Sequence, residues 1–577
     1  MTPVTYRFPL FVALRDAWAQ GYSLTRLRND IIAGITVGII AIPLAMALAI
    51  AVGVAPQHGL YTGIIGGFII ALCGGSRFNI SGPTAAFVVI LLPITQQYGL
   101  GGLLLVTLMA GIILVALGLA RMGSLIQFVP YPVVMGFTAG IGIVIATLQI
   151  KDFFGLQQVA QHSSYISQVQ ALVQALPSIS IGDTLVGITT LAVLILWPHL
   201  TRRVPGHLIA LLIGSLLGLV LAHMDFSIAT LGNRFSYELD GVQQAGIPPF
   251  APHWVLPWQL PGADGHPLRV SFELLRQLLP SALAVAMLGA IESLLCALVA
   301  DGMASTRHDP NAELVGQGLG NMIVPFFGGI TATAAIARTA TSVRSGAFSP
   351  IAGIVHALVI LLAVVLLARL FAWLPMASLA AMLLMVAWNM SEAPRVIRML
   401  KVGPRQDVLV LLICILLTVL FDMVLAVGVG LLLASALFIK RMADISEGAP
   451  SAPDQEIDLP ESVLLYRLQG PLFFAAAAKA LGALSHFDDR IKYLIIDMRQ
   501  VPSMDMSALV LFEQALQGIQ QRGIRIYLSG VKPRIRLKLK RAGIIAKRDS
   551  LSFAATPAVA AKRIEANLIT EEASGEG

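Results

Sequence analysis

The sequence predicts a polytopic α-helical membrane protein with fourteen transmembrane segments, arranged as a 7+7 inverted repeat, and a small cytoplasmic α/β domain at the carboxyl end. Composition, an internal repeat and a change of composition near Arg441 predict it. Of the 577 residues, 56% are hydrophobic and 12% are charged, whereas soluble domains have about a quarter charged residues. Uncharged runs such as 122–150 and 314–337 exceed the roughly 20 residues that cross a bilayer. A soluble enzyme with a large core is therefore excluded.

The apolar segments number fourteen, and the third and tenth are too short to cross a membrane alone as regular helices. The net charge of +7 does not indicate nucleic-acid binding, because the basic residues collect in alternate loops, as in cytoplasmic loops of membrane proteins. Both termini are predicted to be cytoplasmic. The segments begin near residues 31, 57, 81, 99, 124, 180, 204, 272, 313, 331, 348, 371, 406 and 423.

A four-residue motif occurs twice, and the second copy begins 249 residues after the first: Thr84-Ala85-Ala86-Phe87 and Thr333-Ala334-Ala335-Ile336. Each copy follows a pair of glycines. The same offset relates Ala41-Ile42-Pro43 to Ala290-Ile291-Glu292. Because seven segments are an odd number, a second unit of seven enters the membrane from the opposite side, which makes the repeat inverted. The alternatives are chance similarity between Gly/Ala-rich segments or close helix packing.

Each motif is expected to begin a half-helix near the middle of the membrane. Pro83 suits a first helical turn, where its missing N–H is no loss. Free N–H groups at helix starts carry partial positive charge and bind anions, and alanine side chains let a substrate approach the backbone. We therefore predict an anionic substrate, bound by residues Thr84, Ala85, Ala86, Phe87, Ala334, Ala335 and Ile336.

Arg338 follows the second motif by half a turn. A helix end contributes about 0.3–2 kcal/mol per charge, whereas dehydrating an anion costs several kcal/mol. We predict that Arg338 supplies the missing positive charge, because ionisable groups inside membranes are rare and usually functional. The alternative is a side chain that extends to the membrane surface, which is the interpretation we favour for Arg344.

Glu292 is the carboxylate of an otherwise uncharged segment, residues 281–300. Loss of water and a nearby anion both favour the protonated form of such a group. A proton and an anion would then bind together, which predicts proton symport. Two alternatives stay open: Glu292 binds Na⁺, or it pairs with an arginine. Cys296, one turn later, is predicted to line the same cavity.

No metal site or disulfide is predicted. Cys73, Cys296 and Cys414 lie in apolar segments without paired spacing, so that burial is the expected role. His253 and His266, in the loop expected to join the two repeats, also lack ligand spacing. The co-transported proton is the expected ion, and no cofactor is predicted.

The chain is predicted to have four parts. These are a cytoplasmic segment at 1–30, a transporter domain at 31–441, a linker at 442–462, and a domain with a tail at 463–577; the repeats span about 31–224 and 272–441. The linker is acidic and contains several prolines. The last part alternates strands and helices: strands at 463–469, 491–498 and 524–529, and helices at 472–484, 506–521 and 533–542.

Several stretches resemble the sulfate permease (SulP), or solute-carrier-26, family of anion transporters: residues 34–50, 74–91, 288–303, 326–343 and 505–512. The resemblance covers nearly the whole chain. Residues 313–321 and 383–393 are also very similar to bacterial transporters of four-carbon dicarboxylic acids. This resemblance implies succinate, fumarate, malate or aspartate as the substrate, and the inner membrane of a bacterium as the location.

The family resemblance further implies UraA-like gate and core domains, an elevator-type cycle, a homodimer, and a substrate between the third and tenth helices. Sodium-coupled bicarbonate members carry a carboxylate and a hydroxyl in the cation site, at positions matching Glu292 and Cys296; cysteine here weakens the sodium alternative. Some proton-coupled members carry an acid in the first helix. Residues 31–54 contain none, so Glu292 must supply that function.

The carboxyl-terminal part resembles the STAS domain of anti-sigma-factor antagonists. The family's phosphorylatable serine aligns with Ser507, a predicted regulatory site where a phosphate would meet a helix start. Residues 532–541 carry six basic side chains, expected to form a solvated helix face. Contact with anionic membrane lipid or with a cytoplasmic protein partner is the alternative.

Three hypotheses for the function follow. The first is uptake of C4-dicarboxylates by proton symport. The second is a carrier of an inorganic anion, sulfate or bicarbonate, with sodium as a candidate coupling ion. The third, from another class, is a membrane protein that senses an anion and signals through its STAS domain.

Overall fold

The computed structural model describes residues 10–573, apart from gaps at 125–128, 158, 160–163, 202–204, 240, 422, 446, 451–458, 474–476, 478–479, 482–489 and 548–549. Two compact units make up the chain, and they divide after Leu431. The first unit is almost entirely helical, and the second contains a five-stranded sheet.

The described residues from 10 to 445 form eighteen α-helices. Among the described residues, eight helical stretches are long and apolar enough to cross a membrane. The helices are Val12–Ala19 (α1), Leu24–Ala51 (α2), Pro56–Tyr61 (α3), Gly67–Cys73 (α4), Val88–Leu119 (α5), Tyr131–Phe153 (α6), Tyr165–Ala175 (α7), Ile181–Leu200 (α8), Gly206–His223 (α9), Leu231–Arg234 (α10), Phe272–Ala304 (α11), Pro310–Ile323 (α12), Ile336–Arg344 (α13), Ile351–Phe371 (α14), Met376–Ser391 (α15), Ala393–Val402 (α16), Arg405–Leu420 (α17) and Met423–Ile445 (α18).

Each predicted apolar segment coincides with helical structure. The second is two helices, α3 and α4, joined by a π-helical turn at Thr62–Gly66. The third and fourth are continuous as α5, which a three-residue 3₁₀ turn at Ala85–Phe87 precedes. The number of membrane crossings and the inverted repeat stay predictions, because length and composition mark only eight stretches of the described chain as able to span.

The third and tenth apolar segments form short helices, as the sequence predicts. The backbone of α5 leaves the helical conformation at Gly99, where φ is 68° and ψ is −171°. A positive φ favours glycine, because a side chain would be strained there. The part of α5 before Gly99 is therefore a half-helix. The tenth segment contains α13, which has nine residues.

The first motif begins a helix as predicted, since the 3₁₀ turn Ala85–Phe87 continues into α5, but the structure corrects the prediction for the second motif, which begins as a strand. Ser81–Gly82 (β1) and Thr333–Ala334 (β4) pair as antiparallel strands, with Ser81 opposite Ala334 and Gly82 opposite Thr333. Helix α13 begins only at Ile336, after an extended Ala335. The physical reason is that extended backbone within a membrane needs internal hydrogen-bond partners, and each strand supplies them to the other.

The loop that was expected to join the repeats contains a short hairpin. Its strands are Ser236–Leu239 (β2) and Val242–Ala245 (β3), paired antiparallel. Further along, the indole of Trp254 stacks on Phe326 with ring centroids 4.9 Å apart, and Val255 N donates to Phe326 O at 2.8 Å. These contacts fasten the loop to the turn before Gly328.

The second unit is an α/β domain built on one sheet of strand order β5-β6-β7-β8-β9. The first pair is antiparallel and the other pairs are parallel. Two clusters of buried apolar side chains, one including Phe512 and one including Ile564, cover the strands. The strands are Glu447–Pro450 (β5), Val463–Gln469 (β6), Tyr493–Gln500 (β7), Arg525–Ser529 (β8) and Leu551–Ala554 (β9), and the helices are Met506–Gln521 (α19), Pro533–Arg541 (α20) and Pro557–Ala573 (α21).

Two predicted boundaries in this unit change. The expected linker at 442–462 contains the end of α18 and the strand β5, because β5 pairs with the exposed edge of β6. Residues 451–458 of that linker, and most of the predicted helix at 472–484, lie outside the described residues. The final strand and helix, β9 and α21, were not predicted.

Candidate functional site

The strand pair β1–β4 brings the two four-residue motifs together. Ala335 N donates to Ile80 O at 3.0 Å, which extends the pairing by one hydrogen bond. The first motif is fully buried, whereas Ile336 of the second is 46% exposed. Residues 81–82 and 333–334, which lie about 250 positions apart in sequence, therefore meet. The meeting point is buried on the side of the first motif and exposed at Ile336.

Both helix starts lack a side-chain cap. Thr84 and Ala335 are the extended residues that precede the 3₁₀ turn and α13, and neither side chain accepts a hydrogen bond from the N–H groups of its helix. The Thr84 hydroxyl instead donates to Oε2 of Glu292 at 2.9 Å. The first N–H groups of each helix are thus left without the usual side-chain acceptor. Such groups bind anions.

Arg338 lies inside the protein rather than at its surface. Its side chain is 6% exposed, and Nη2 donates to the carbonyl oxygen of Pro83. A Cβ on Gly82 would lie 2.6 Å from Nη1, so the guanidinium packs directly on the backbone of β1. Arg344, by contrast, is exposed. The buried position places a positive charge beside both motifs.

Glu292 and Cys296 lie on one face of α11 and contact the two motifs differently. Glu292 is partly exposed, and the Thr84 hydroxyl is its one side-chain donor within the described residues. Cys296 is fully buried; Sγ donates to the Thr339 hydroxyl at 3.1 Å, which also accepts from Ile80 N at 3.0 Å. Cys296 therefore packs α11 against α13 and, contrary to expectation, does not line an open cavity.

Glu313 is a second buried carboxylate, and sequence reasoning missed it. It is 1% exposed and accepts five hydrogen bonds at 2.7–3.4 Å. These hydrogen bonds hold the side chain in one position. The donors are Gly75 N, Ser76 N, Asn79 Nδ2, Ser293 Oγ and Gln317 Nε2.

The glycine pair before each motif is held by the opposite half of the unit. Glu313 binds the loop at Gly75, where a Cβ would lie 2.1 Å from a backbone oxygen. In the other half, His58 Nδ1 lies 2.6 Å from Gly328 O, and Ile330 N donates to the Thr62 hydroxyl at 2.7 Å. Side chains from one half of the first unit thus position the glycine loop of the other half.

Helix α2, the first predicted transmembrane segment, carries an acidic residue at Asp30, one residue before the stretch 31–54 that contains none. Asp30 is fully buried and accepts from Tyr22 Oη at 2.7 Å, Phe348 N at 2.6 Å, Ser349 N at 3.1 Å and Ser349 Oγ at 2.5 Å. Its oxygens are saturated, so Asp30 fixes α2 to the loop before α14. Because Asp30 is occupied in this way, the proton-coupling role of Glu292 stays a prediction.

An apolar cavity of about 250 Å³ lies along α11, on a different face of the helix from Glu292, and the described residues of its lining include neither Glu292 nor Arg338 nor any residue of the two motifs. Helix α11 contributes Ile291, Leu294 and Leu295 to its wall. Helix α6 supplies Val134 on another wall. The remaining lining residues are Gly123, Val129, Leu298, His308 and Pro310.

Ser507 is exposed at the second residue of α19, where a kinase has access. The Asp505 carboxylate already caps this helix, accepting from Ala508 N at 2.7 Å. A phosphate on Ser507 would meet that negative charge. Within the described residues no group of three or more His, Cys, Asp or Glu side chains is arranged to hold a metal. His253 and His266 are both exposed.

Comparisons with known proteins agree with this architecture. The sequence pattern of the sulfate permease family matches residues 27–414, and that of the STAS domain matches residues 455–554. A putative sulfate transporter, YvdB of Bacillus subtilis, is 39% identical over 92% of this chain and 97% of its own. The bicarbonate transporter BicA of Picosynechococcus is 30% identical over 89% of this chain and 90% of its own.

Two solved structures are similar in fold. The transmembrane domain of a cyanobacterial bicarbonate transporter, BicA, matches with a TM-score of 0.58 at 29% identity, covering 72% of this chain and 98% of that one. The structure of SLC26A9 matches with a TM-score of 0.82 at 16% identity, covering 97% and 94%. The fold thus defines a multi-pass helical membrane transporter with a STAS domain. The chain belongs to the sulfate permease family of anion transporters.

Proposed function

We propose that the protein takes up C4-dicarboxylates, namely succinate, fumarate, malate and aspartate, by proton symport. One arrangement carries the proposal. Two uncapped helix starts meet at β1–β4, with the Arg338 guanidinium on one strand and the Glu292 carboxylate hydrogen-bonded to Thr84.

The positive side of this arrangement supports an anionic substrate. Each helix start contributes about half a positive charge, and Arg338 adds a full charge that burial shields from solvent. A dianion gains more from these groups than a monoanion does, because the attraction scales with its charge.

The Thr84–Glu292 hydrogen bond supports coupling to protons. An anion at the first helix start would lie close to Glu292, and repulsion between them favours protonation of the carboxyl. The Thr84 hydroxyl can donate to the carboxylate and accept from the carboxylic acid, so the contact survives the change. Anion binding and proton binding therefore assist each other.

The alternatives for Glu292 have less support. No ion pair within 4.0 Å joins Glu292 to Arg338 in the described structure, which argues against a structural pair. Sodium prefers oxygen ligands, whereas Cys296 supplies a thiol that is already bonded to Thr339.

The dicarboxylate candidate is favoured by the resemblance of residues 313–321 and 383–393 to bacterial transporters of four-carbon dicarboxylic acids. The second candidate, an inorganic anion, is favoured by a different observation: the relatives at 39% and 30% identity are named as sulfate and bicarbonate transporters. A sensor that binds an anion and signals through STAS is the third candidate.

Uptake into proteoliposomes tests these candidates. Labelled succinate, sulfate and bicarbonate are compared with an inward proton gradient, with a sodium gradient, and with neither. The proposal expects proton-driven accumulation of succinate. Accumulation of sulfate or bicarbonate without succinate would establish the second candidate, and saturable binding without flux would establish the third.

The family resemblance motivates further proposals about the whole transporter. They are fourteen crossings in an inverted repeat with gate and core domains, an elevator-type cycle, a homodimer, both termini in the cytoplasm of a bacterial cell, and a cytoplasmic partner or lipid contact for the STAS domain. Cross-linking of single-cysteine variants, with reagents applied to either side of the membrane, tests the topology and the dimer.

A further inference from the structure

His356, on α14, is a buried polar side chain to which the transport mechanism above gives no role. It is 0% exposed, and neither ring nitrogen has a hydrogen-bond partner in the described structure. Leaving such groups unpaired is costly. The ring therefore needs hydrogen-bond partners that the described residues do not provide, and water supplies them.

The imidazole faces the central strand β1. A Cβ on Gly67 would lie 3.1 Å from Ser81 O and 3.5 Å from His356 Nδ1. The absence of a side chain at Gly67 thus keeps a gap between the carbonyl and the ring. Gly67 directly follows the π-helical turn, and such turns are frequent at functional sites.

Burial opposes a positive charge on His356, and the field of Arg338 opposes it as well. Arg338 packs on Gly82 from β1, so this strand lies against both the guanidinium and the imidazole. Helix α14 also packs on α2, α3, the π-helical turn and α4. The other titratable or charged side chains of those elements are Arg26, Arg28, Asp30, His58, Tyr61 and Cys73, of which Asp30 and His58 are bonded to backbone elsewhere.

We propose that His356 is a second proton-binding residue of the transport cycle, so that each dianion crosses with two protons, one on Glu292 and one on His356. The inference rests on the proposed function and adds its stoichiometry. A guanidinium opposes a second positive charge nearby, and a dianion beside Arg338 removes that opposition.

The net charge of the substrate site supports a second proton, because two protons keep that charge the same in the loaded and the empty site. Glu313 accepts five hydrogen bonds, and counted as a carboxylate it offsets the charge of Arg338. A dianion adds two negative charges, and protonation of Glu292 and His356 adds two positive charges. The loaded and empty sites then carry the same charge. Both protons come from the side on which the anion enters and are released with it on the other side.

The stoichiometry is measured in proteoliposomes that hold a proton gradient of one pH unit at zero membrane potential. Each coupled proton raises the accumulation ratio about tenfold per pH unit. We expect roughly 100-fold accumulation of labelled succinate by the unaltered protein and roughly 10-fold by the variant His356→Gln. Uptake by the unaltered protein is also expected to be insensitive to a potential of about 100 mV.

His253→Gln is the matched control, because His253 is exposed in the loop before α11; it should accumulate as the unaltered protein does. His356→Leu, which leaves no polar group at the position, should behave as His356→Gln. Exchange of internal for external succinate needs no net proton transfer, so it reports whether each variant retains a working site.

The outcomes separate the two proposals. Roughly 10-fold accumulation by the unaltered protein, or uptake that responds to the membrane potential, overturns the role of His356 and leaves proton symport intact. Unaltered accumulation by both His356 variants does the same. Succinate transport without any response to the proton gradient overturns the proposed function and this inference with it.

Discussion

Glu292 and Glu313 lie on consecutive helices and differ in what surrounds their oxygens. Five donors surround Glu313, which is 1% exposed. Glu292 is partly exposed and accepts from the Thr84 hydroxyl. Glu313 is therefore held in place by the surrounding framework, and Glu292 is the carboxylate to which we assign the transported proton.

Glu292→Gln is expected to retain succinate binding and to lose the acceleration of uptake at acid pH, because glutamine keeps the shape and the Thr84 contact but cannot take up a proton. Initial uptake rates are measured against external pH. Glu273→Gln, an exposed change on the same helix, is the control. An unchanged pH profile in Glu292→Gln would remove this residue from the coupling mechanism.

Arg338→Ala is expected to weaken dianion binding more than monoanion binding. Loss of a charged hydrogen-bonding group costs about 1.5–3 kcal/mol, which corresponds to a tenfold or larger rise in Kd. Competition by succinate and by its monomethyl ester against labelled substrate measures the difference. Arg344→Ala, on the exposed side of α13, should change neither, and equal losses for both ligands would make Arg338 a structural residue.

Glu313→Gln is expected to destabilise the first unit by about 3 kcal/mol, because donors that now meet a carboxylate would face an amide nitrogen. Thermal unfolding in detergent, followed by tryptophan fluorescence, detects the change. All six tryptophans precede Leu431, so this signal reports the first unit. The same unfolding temperature for the variant and the unaltered protein would contradict the framework role.

The two carboxylates also illustrate what the sequence reveals at this scale. Glu292 is conspicuous because its segment is otherwise uncharged. Glu313 follows Asp309 and Pro310 and has the place of an ordinary acidic residue in the first turn of a helix, so the sequence alone does not distinguish it. Its one signal is the glycine- and glutamine-rich sequence that follows, GQGLGN at 316–321.

At the scale of elements, apolar runs located the helices but not their contacts at the site. The break at Gly99 follows from segment lengths, since one apolar run was too long for a single crossing. The strands β1 and β4 have two residues each, too few for a periodic pattern. Each strand pairs with residues about 250 positions away in sequence. The repeated motifs therefore predicted that these two regions are close together, but not that they pair as strands.

Gly99→Ala is expected to destabilise the first unit by at least about 2 kcal/mol, through strain at a positive φ. A Cβ there would also lie 2.3 Å from the carbonyl carbon of Gly262. Gly302→Ala is the control, because no atom lies within 4 Å of its Cβ position in α11. If Gly99→Ala were as stable as this control, the positive φ at residue 99 would not require glycine.

At the scale of the whole molecule, two separate cores predict two unfolding events. Phe512→Ala is expected to destabilise the second unit by about 3–5 kcal/mol, because Phe512 is fully buried in its core. Trypsin should then cut residues 463–573 at a lower denaturant concentration, whereas the tryptophan transition of the first unit stays in place. Val510→Ala, at a largely exposed position of α19, is the control. A shift of both transitions together would mean that the units unfold as one.

The β1–β4 pair also has a consequence for biosynthesis. The ribosome makes Ser81 and Gly82 about 250 residues before Thr333 and Ala334, so the nascent amino-terminal half waits without its partner strand. Unpaired peptide groups are poorly tolerated in hydrocarbon. The early half must therefore stay hydrated or shielded by the insertion machinery, and the chain completes its centre only after most of it has been translated.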